Sequence, residues 1–142
     1  MDDQIEAHAA LANQKLGFMG QADGLPAIPI DSIPPLGDGE GYTPLDLVLI
    51  SLAACAGSTI VSLLRKMRKT VARCNADATG VKREEHPRIF ESITLCFLVV
   101  SPDAEGADIE KAIELSEKKY CPVWAMLKGN VSIQTKYKLS RE

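Results

Sequence analysis

The chain has 142 residues, 46% of them hydrophobic but only 5% aromatic, and a formal net charge of −3. These values predict a single domain, residues 1–142, with an aliphatic core that needs no disulfide framework, and they exclude general disorder. Residues 1–64 hold one basic residue, Lys15, and carry −7, whereas the remainder carries +4. Neither part clusters basic residues with aromatic ones, so we expect no nucleic-acid partner.

The first third of the chain predicts short strands followed by a long loop. Residues 1–13 have only a weak apolar stripe, which suits either a short helix or a loose arm. Apolar residues alternate over 16–20, and an Asp-Gly hairpin dipeptide at 23–24 precedes residues 25–30, so two antiparallel strands are expected. Proline and glycine fill residues 31–42, a loop long enough to act as a lid or a linker or to cross to another subunit.

A long apolar helix is predicted at about residues 44–68. Thr43 can cap its first turn, Pro44 suits the first helical position, and Asp46 complements the helix dipole. Residues 47–64 carry no formal charge, which invites comparison with a membrane span. Serine, threonine, alanine and glycine interrupt this stretch, so it favours a helix buried within protein and covered by more than one neighbour. We expect no membrane insertion.

A second hairpin is predicted from residues 71–82 and 90–100, joined by the polar turn 83–88. Cys74 and Cys96 fall near opposing positions of this hairpin, and we expect both to be thiols of the core or of a sheet face.

The last third predicts a helix over 103–119, a break at Pro122, a short helix over 122–128 ended by Gly129, and a closing strand over 131–139. The element order is therefore two strands, a long helix, two strands, helices and a strand. That order is typical of an α+β fold with a largely antiparallel sheet packed on a helical layer.

Two cysteines suggest thiol redox chemistry. Cys55 lies among alanine and glycine in the apolar helix, which leaves room for a ligand or another backbone. Cys121 directly precedes Pro122, so it should meet the free amide donors of a helix start, which favour a thiolate. Each residue also suits plain packing as a small buried side chain. The chain begins without a secretory signal pattern, so we expect a cytoplasmic protein whose cysteines rest as thiols.

A metal site is not expected. The sequence has no Cys-x-x-Cys motif and no paired histidines, and His86 lies in a polar turn.

Three segments carry a resemblance to a known family. They are Thr-Pro-Leu-Asp-Leu at 43–47 with Leu-Ala-Ala-Cys at 52–55, Arg-Glu-Glu-His-Pro-Arg-Ile-Phe at 83–90, and Leu-Ser-Glu-Lys-Lys-Tyr-Cys-Pro-Val at 115–123. Together they resemble the OsmC/Ohr family, in particular its YhfA branch, over most of residues 16–139.

The resemblance implies an intertwined homodimer in which sheets wrap around two central helices and the active sites lie at the subunit interface. It implies that Cys55 is a peroxidatic cysteine and Cys121 the resolving cysteine of a hydroperoxide reductase with a role in the oxidative-stress response. Such a pair forms a disulfide that an external dithiol reduces, without metal, flavin or other cofactor. Apolar walls around Cys55 would favour organic hydroperoxides.

The sequence departs from the family pattern at two points. Leu45 follows Pro44 where peroxidases of this family have a glutamate, with the acid one position later at Asp46, and no arginine precedes Arg65. The alternatives are a non-catalytic protein that binds a small molecule in the apolar dimer-interface cavity, and a structural protein without a ligand.

Overall fold

The computed structural model describes residues 3–142, which form two compact units: an amino-terminal unit that ends at Val48 and a carboxyl-terminal unit, Leu49–Glu142. The strands and helices of the described residues are, in chain order, β1 (Ala7–Leu11), β2 (Phe18–Ala22), β3 (Ile28–Ile30), α1 (Pro44–Lys66), β4 (Arg73–Lys82), β5 (Phe90–Val100), α2 (Gly106–Leu115), α3 (Pro122–Leu127) and β6 (Ser132–Ser140). A π-helical turn, Ser116–Tyr120, joins α2 to the segment before α3. The fold is mixed α+β, as predicted, while the single domain stays a prediction.

The amino-terminal unit contains an antiparallel sheet in the order β1-β2-β3. The predicted hairpin is confirmed: Asp23 and Gly24 have φ angles of 55° and 71°, and the Leu25 amide donates to the Ala22 carbonyl at 3.1 Å. A helix or a loose arm is expected over residues 1–13, and this is wrong for Ala7–Leu11, which form strand β1. That segment pairs with the edge of β2, and the local apolar stripe does not reveal such a pairing.

A buried carboxylate organises the loop at 31–42. The Asp31 side chain accepts the backbone N–H groups of Ser32, Asp38 and Glu40 at 2.7, 3.3 and 3.2 Å. Asp31 is 4% exposed, and these hydrogen bonds lower the pKa of its carboxyl group, led by the bond from Ser32. The loop therefore has an ordered backbone built around one anion.

Helix α1 begins as predicted. The Thr43 Oγ1 accepts the Asp46 amide at 3.1 Å, and the Asp46 carboxylate accepts the Thr43 amide at 2.9 Å, with Pro44 as the first helical residue. The helix ends at Lys66, two residues before the predicted end, and Arg68 then adopts a left-handed φ of 64°. The caps satisfy backbone donors at the start of the helix that carries Cys55.

Only part of the surface of α1 is covered. Its buried residues are Leu52, Ala56, Gly57, Ile60, Leu63 and Leu64. Within residues 3–142, α1 alone is long and apolar enough to span a membrane. Of its most apolar stretch of 18 residues, 33% is buried.

The carboxyl-terminal sheet has the order β4-β5-β6. Strands β4 and β5 form the predicted antiparallel hairpin, whereas β6 pairs with β5 in parallel. Strand β6 is the predicted closing strand, but its parallel pairing makes the sheet mixed instead of largely antiparallel. A parallel neighbour requires a crossover connection, and the helical segment between β5 and β6 provides it.

Helix α2 starts three residues later than the predicted 103–119 helix, because Glu105 is its N-cap and the Asp108 carboxylate accepts the Glu105 amide at 2.8 Å. Buried side chains from one face of β5 and from the helices form the core: Ile93, Leu95, Phe97, Val99, Ile109, Ala112 and Trp124.

Candidate active site

Cys55 lies in the middle of α1 and is half-buried. Gly57 sits so close to β4 that an added Cβ would lie 3.2 Å from the Cβ of Ala76. The hydroxyls of Ser58 and Thr59 donate to the Cys55 carbonyl at 3.1 and 2.8 Å. Small and hydroxyl-bearing residues thus let α1 approach β4 closely and satisfy the backbone around Cys55.

Cys121 lies at the junction of the π-helical turn and α3. Its amide donates to the Ser116 carbonyl at 2.9 Å, five residues back, which defines the π turn. Its own backbone is extended, with φ −89° and ψ 105°, and its carbonyl accepts the Ala125 amide at 3.0 Å. Pro122 then begins α3, so the predicted break and restart are confirmed. The π turn itself has no signal in the sequence pattern.

The structure brings the two cysteines together. The Cys121 thiol donates to the Sγ of Cys55 at an S–S distance of 3.1 Å, although the residues are 66 positions apart. A disulfide bond is about 2.05 Å long, so oxidation requires the sulfur atoms to approach by roughly 1 Å. Both are free thiols, and Cys121 is buried at 2% exposure. This geometry permits reversible disulfide formation.

Burial controls the ionisation of Cys121. It raises the pKa of the thiol to about 11, and the hydrogen bond to Cys55 acts in the same direction. The backbone amides of Trp124 and Val123 oppose this shift but are outweighed. The expected amide donors at the start of α3 are therefore present, but burial outweighs them, which agrees with the alternative of a packed small side chain.

A small polar cavity lies along α1 on the carboxyl-terminal side of Cys55. It has a volume of about 390 Å³ and is lined by Ser58, Thr59, Ser62, Leu63, Lys66 and Tyr120. Thr59, Ser62 and Lys66 follow Cys55 at intervals of four, three and four residues, so all four share one stripe of the helix. Tyr120 directly precedes Cys121. This cavity mixes hydroxyl groups and an ammonium group with apolar surface, and Cys55 is not among its lining residues, so the apolar walls expected around Cys55 stay a prediction.

A larger apolar groove of about 860 Å³ runs along α1 and the start of β4. Its lining residues are Ile50, Ala53, Ala54, Gly57, Ser58, Val61, Ser62, Arg65, Lys66, Cys74 and Ala76. Neither Cys55 nor Cys121 lines this groove or the smaller cavity, and the two share Ser58, Ser62 and Lys66.

The remaining thiols do not form a pair. Cys74 is opposite Val99 and Cys96 is opposite Asp77, so the two cysteines lie on different faces of the sheet. Both are half-buried, and burial raises the pKa of the Cys74 thiol. Among residues 3–142, no group of three or more histidine, cysteine or acidic side chains is arranged to hold a metal ion.

The fold and the cysteine segments define the class of protein. The model of the family described as OsmC-like protein matches residues 37–136, and the chain belongs to this family. The match includes α1 and both cysteines of the pair, so the apolar helix is part of the OsmC-like fold and does not indicate a membrane protein.

Individual relatives agree with this assignment. The chain is 37% identical to protein YhfA of Escherichia coli K12 over 97 residues, which cover 68% of this chain and 72% of that protein. A hypothetical protein from Aquifex aeolicus VF5 superposes with a TM-score of 0.86 at 27% identity, covering 98% of each chain. An organic hydroperoxide resistance protein OsmC from Legionella pneumophila shares the fold, with a TM-score of 0.75, 17% identity, and coverage of 95% of this chain and 96% of that one.

Proposed function

We propose that the protein is a cytoplasmic, thiol-dependent hydroperoxide reductase that acts on organic hydroperoxides in the oxidative-stress response, with Cys55 as the peroxidatic cysteine and Cys121 as the resolving cysteine. The separation of 3.1 Å between the two sulfur atoms is the observation that carries this proposal. Membership of the OsmC family supports it, since the Legionella pneumophila relative is named for organic hydroperoxide resistance.

The proposed reaction uses the two thiols in turn. The Cys55 thiolate attacks a peroxide oxygen, the O–O bond breaks, and the departing alkoxide takes a proton from water and leaves as the alcohol. Cys55 is then a sulfenic acid. The Cys121 sulfur attacks it, the S–S bond forms, and the hydroxyl group leaves as water with the Cys121 proton. An external dithiol reduces the disulfide, becomes oxidised itself and returns two protons to the cysteines.

The cavity lined by Thr59, one turn along α1 from Cys55, and by Tyr120, next to Cys121, supports an organic rather than an inorganic peroxide. Its volume of about 390 Å³ exceeds the share of liquid volume of one water molecule, about 30 Å³, by an order of magnitude. Leu63 and Tyr120 provide apolar surface for a carbon chain, while Ser62 and Lys66 can contact a polar group at its far end.

The disulfide itself tests this function. Reduced protein treated with cumene hydroperoxide should form a Cys55–Cys121 disulfide within seconds, as mapped by mass spectrometry of its peptides. Cys55→Ser should abolish the disulfide, and Cys121→Ser should leave a Cys55 sulfenic acid that dimedone traps. Cys96→Ser is the matched control, a half-buried sheet thiol whose loss should change nothing. Slow oxidation of all four cysteines without preference would contradict the proposal.

A second candidate function is non-catalytic binding of a small apolar molecule. The groove of about 860 Å³ favours it, because its surface is mostly apolar and it is the larger of the two cavities along α1. Under this alternative, peroxide would not select Cys55 and Cys121, so the same mapping experiment separates the two functions.

We also propose that the protein is a homodimer and that the groove on α1 receives a second copy of the chain. Small side chains such as Ala53, Ala54 and Ser58 line it, so another helix can approach closely. The amino-terminal unit also has exposed apolar side chains, including Leu25 at 65% and Leu36 at 70% exposure. A second copy would remove both surfaces from water.

A further inference from the structure

The hydrogen bond between the two thiols has a direction. Cys121 donates and Cys55 accepts at 3.1 Å. A hydrogen bond to an ionised acceptor is shorter and stronger than one to a neutral acceptor, so this arrangement favours the thiolate form of the acceptor sulfur. It also requires Cys121 to keep its proton, and burial of that thiol has this effect.

The ammonium groups of the π turn have partners other than the two sulfur atoms. Lys118 forms an ion pair with Glu114 at 3.1 Å, and the Nζ of Lys119 lies 5.3 Å from the centre of the Tyr120 ring. Both lysines are exposed. The Sγ of Cys55 is paired with the Cys121 thiol and not with either cation.

Helix α3 and the central part of helix α1 carry no charged side chain. Lys128, directly after α3, donates to the Glu117 carbonyl at 3.1 Å, and α3 itself carries no ionisable side chain. Between Asp46 and Arg65, helix α1 has no formal charge, and these ends lie about 13 and 15 Å along the helix axis from Cys55. Lys66, at the far end of the polar cavity, is about 16 Å away along the axis.

We propose that the Cys121 S–H group activates Cys55 by donating a hydrogen bond to its sulfur, so that Cys121 acts before the peroxide arrives as well as after it. This role rests on the proposed function and adds a step to it. The proton stays on Cys121 until its sulfur attacks the sulfenic acid, and it then leaves with the hydroxyl group as water. Within the carboxyl-terminal unit, a neutral thiol thus stabilises the thiolate, as a cation can beside other reactive cysteines.

The test compares Cys121→Ala with Cys121→Ser in the whole protein. Serine retains an O–H donor and alanine does not, while both remove the resolving sulfur. The rate of Cys55 alkylation by iodoacetamide is measured against pH, with the modified peptide identified by mass spectrometry. Cys121→Ala should shift the midpoint of this profile upward by about one to two pH units relative to the wild type, as expected for loss of one hydrogen bond to an ionised group. Cys121→Ser should stay close to the wild-type midpoint.

A second measurement leaves both members of the pair in place. The ultraviolet absorbance of thiolate, corrected for the separately recorded absorbance of ionised tyrosine, is titrated in Cys74→Ser/Cys96→Ser protein, where the pair are the only thiols. A first step below the ordinary cysteine pKa of about 8.5 supports the donor role of Cys121, and a first step at or above that value contradicts it.

The outcomes distinguish this role from the proposed function. Equal alkylation midpoints in wild type, Cys121→Ala and Cys121→Ser would overturn the activating role even if peroxide still forms the disulfide. A shifted midpoint without peroxide-driven disulfide formation would leave the activating role standing and reject the peroxidase.

Discussion

At the residue scale, the Asp31 carboxylate is the clearest source of pH-dependent stability. Its pKa in the folded protein lies below the ordinary value, because backbone N–H groups of Ser32, Glu40 and Asp38 hydrogen-bond to the charged form. A group whose pKa is lower in the folded than in the unfolded protein stabilises the fold at pH values above its unfolded pKa. This contribution is lost as the pH falls through its folded pKa.

We therefore predict that Asp31→Asn lowers the Tm at neutral pH, since the amide is uncharged and offers one oxygen in place of two. The deficit should shrink as the pH is lowered below about 4, where wild-type Asp31 also becomes protonated. Thermal unfolding from pH 7 to pH 2.5, followed by circular dichroism, measures it. A deficit that stays constant over this range would show that the charge of Asp31 has no part in it.

At the element scale, the cap of α1 fixes the start of the helix that carries Cys55. We predict that Thr43→Ala lowers the free energy of unfolding by about 1 kcal/mol, because the Asp46 amide loses its side-chain acceptor. Denaturant unfolding measures this change. Ser62→Ala is the matched control, since it removes an exposed hydroxyl inside the same helix and should leave stability unchanged or slightly raised. Equal losses in both variants would contradict a capping role for Thr43.

The helices and strands also show which structural features a local stretch of sequence can predict. The start of α1, the hairpin of β4 and β5, and the helix after Pro122 follow from caps, alternation and proline chemistry, which act over a few residues. Strand β1 and the parallel pairing of β6 depend on partners distant in sequence, so their patterns do not determine them. The π turn, Ser116–Tyr120, leaves no periodic signal because it is a single turn.

For the site, the resemblance indicated both cysteines, but it did not indicate their hydrogen bond. The ionisation of Cys121 was predicted from the start of α3 alone, a local feature. Burial outweighs this local feature and raises the pKa of the Cys121 thiol. Burial depends on residues distant in sequence, so the local pattern does not reveal it. The polar cavity beside Tyr120 was missed for the same reason, although the spacing of Thr59 and Lys66 from Cys55 is a signal that was available.

At the scale of the whole molecule, the two units expose apolar surface in different ways. Among residues 3–48, no hydrophobic side chain is buried, so the amino-terminal unit has no aliphatic core of its own. The carboxyl-terminal unit has a core but leaves the groove on α1 open. Exposed apolar area of this kind marks interaction surfaces, and the proposed homodimer covers it with a second copy.

Ile50 provides the test of this assembly, because it lines the groove and is 45% exposed. We predict that Ile50→Glu raises the dimer dissociation constant by on the order of a hundredfold or more, since each copy would place an unpaired charge in the interface. Ile89→Glu is the matched control: Ile89 is 38% exposed and lies outside the groove, so this variant should remain dimeric. Sedimentation velocity at micromolar concentration measures both. A wild-type protein that sediments as a monomer, or an equal effect of the two substitutions, would reject a dimer formed through α1.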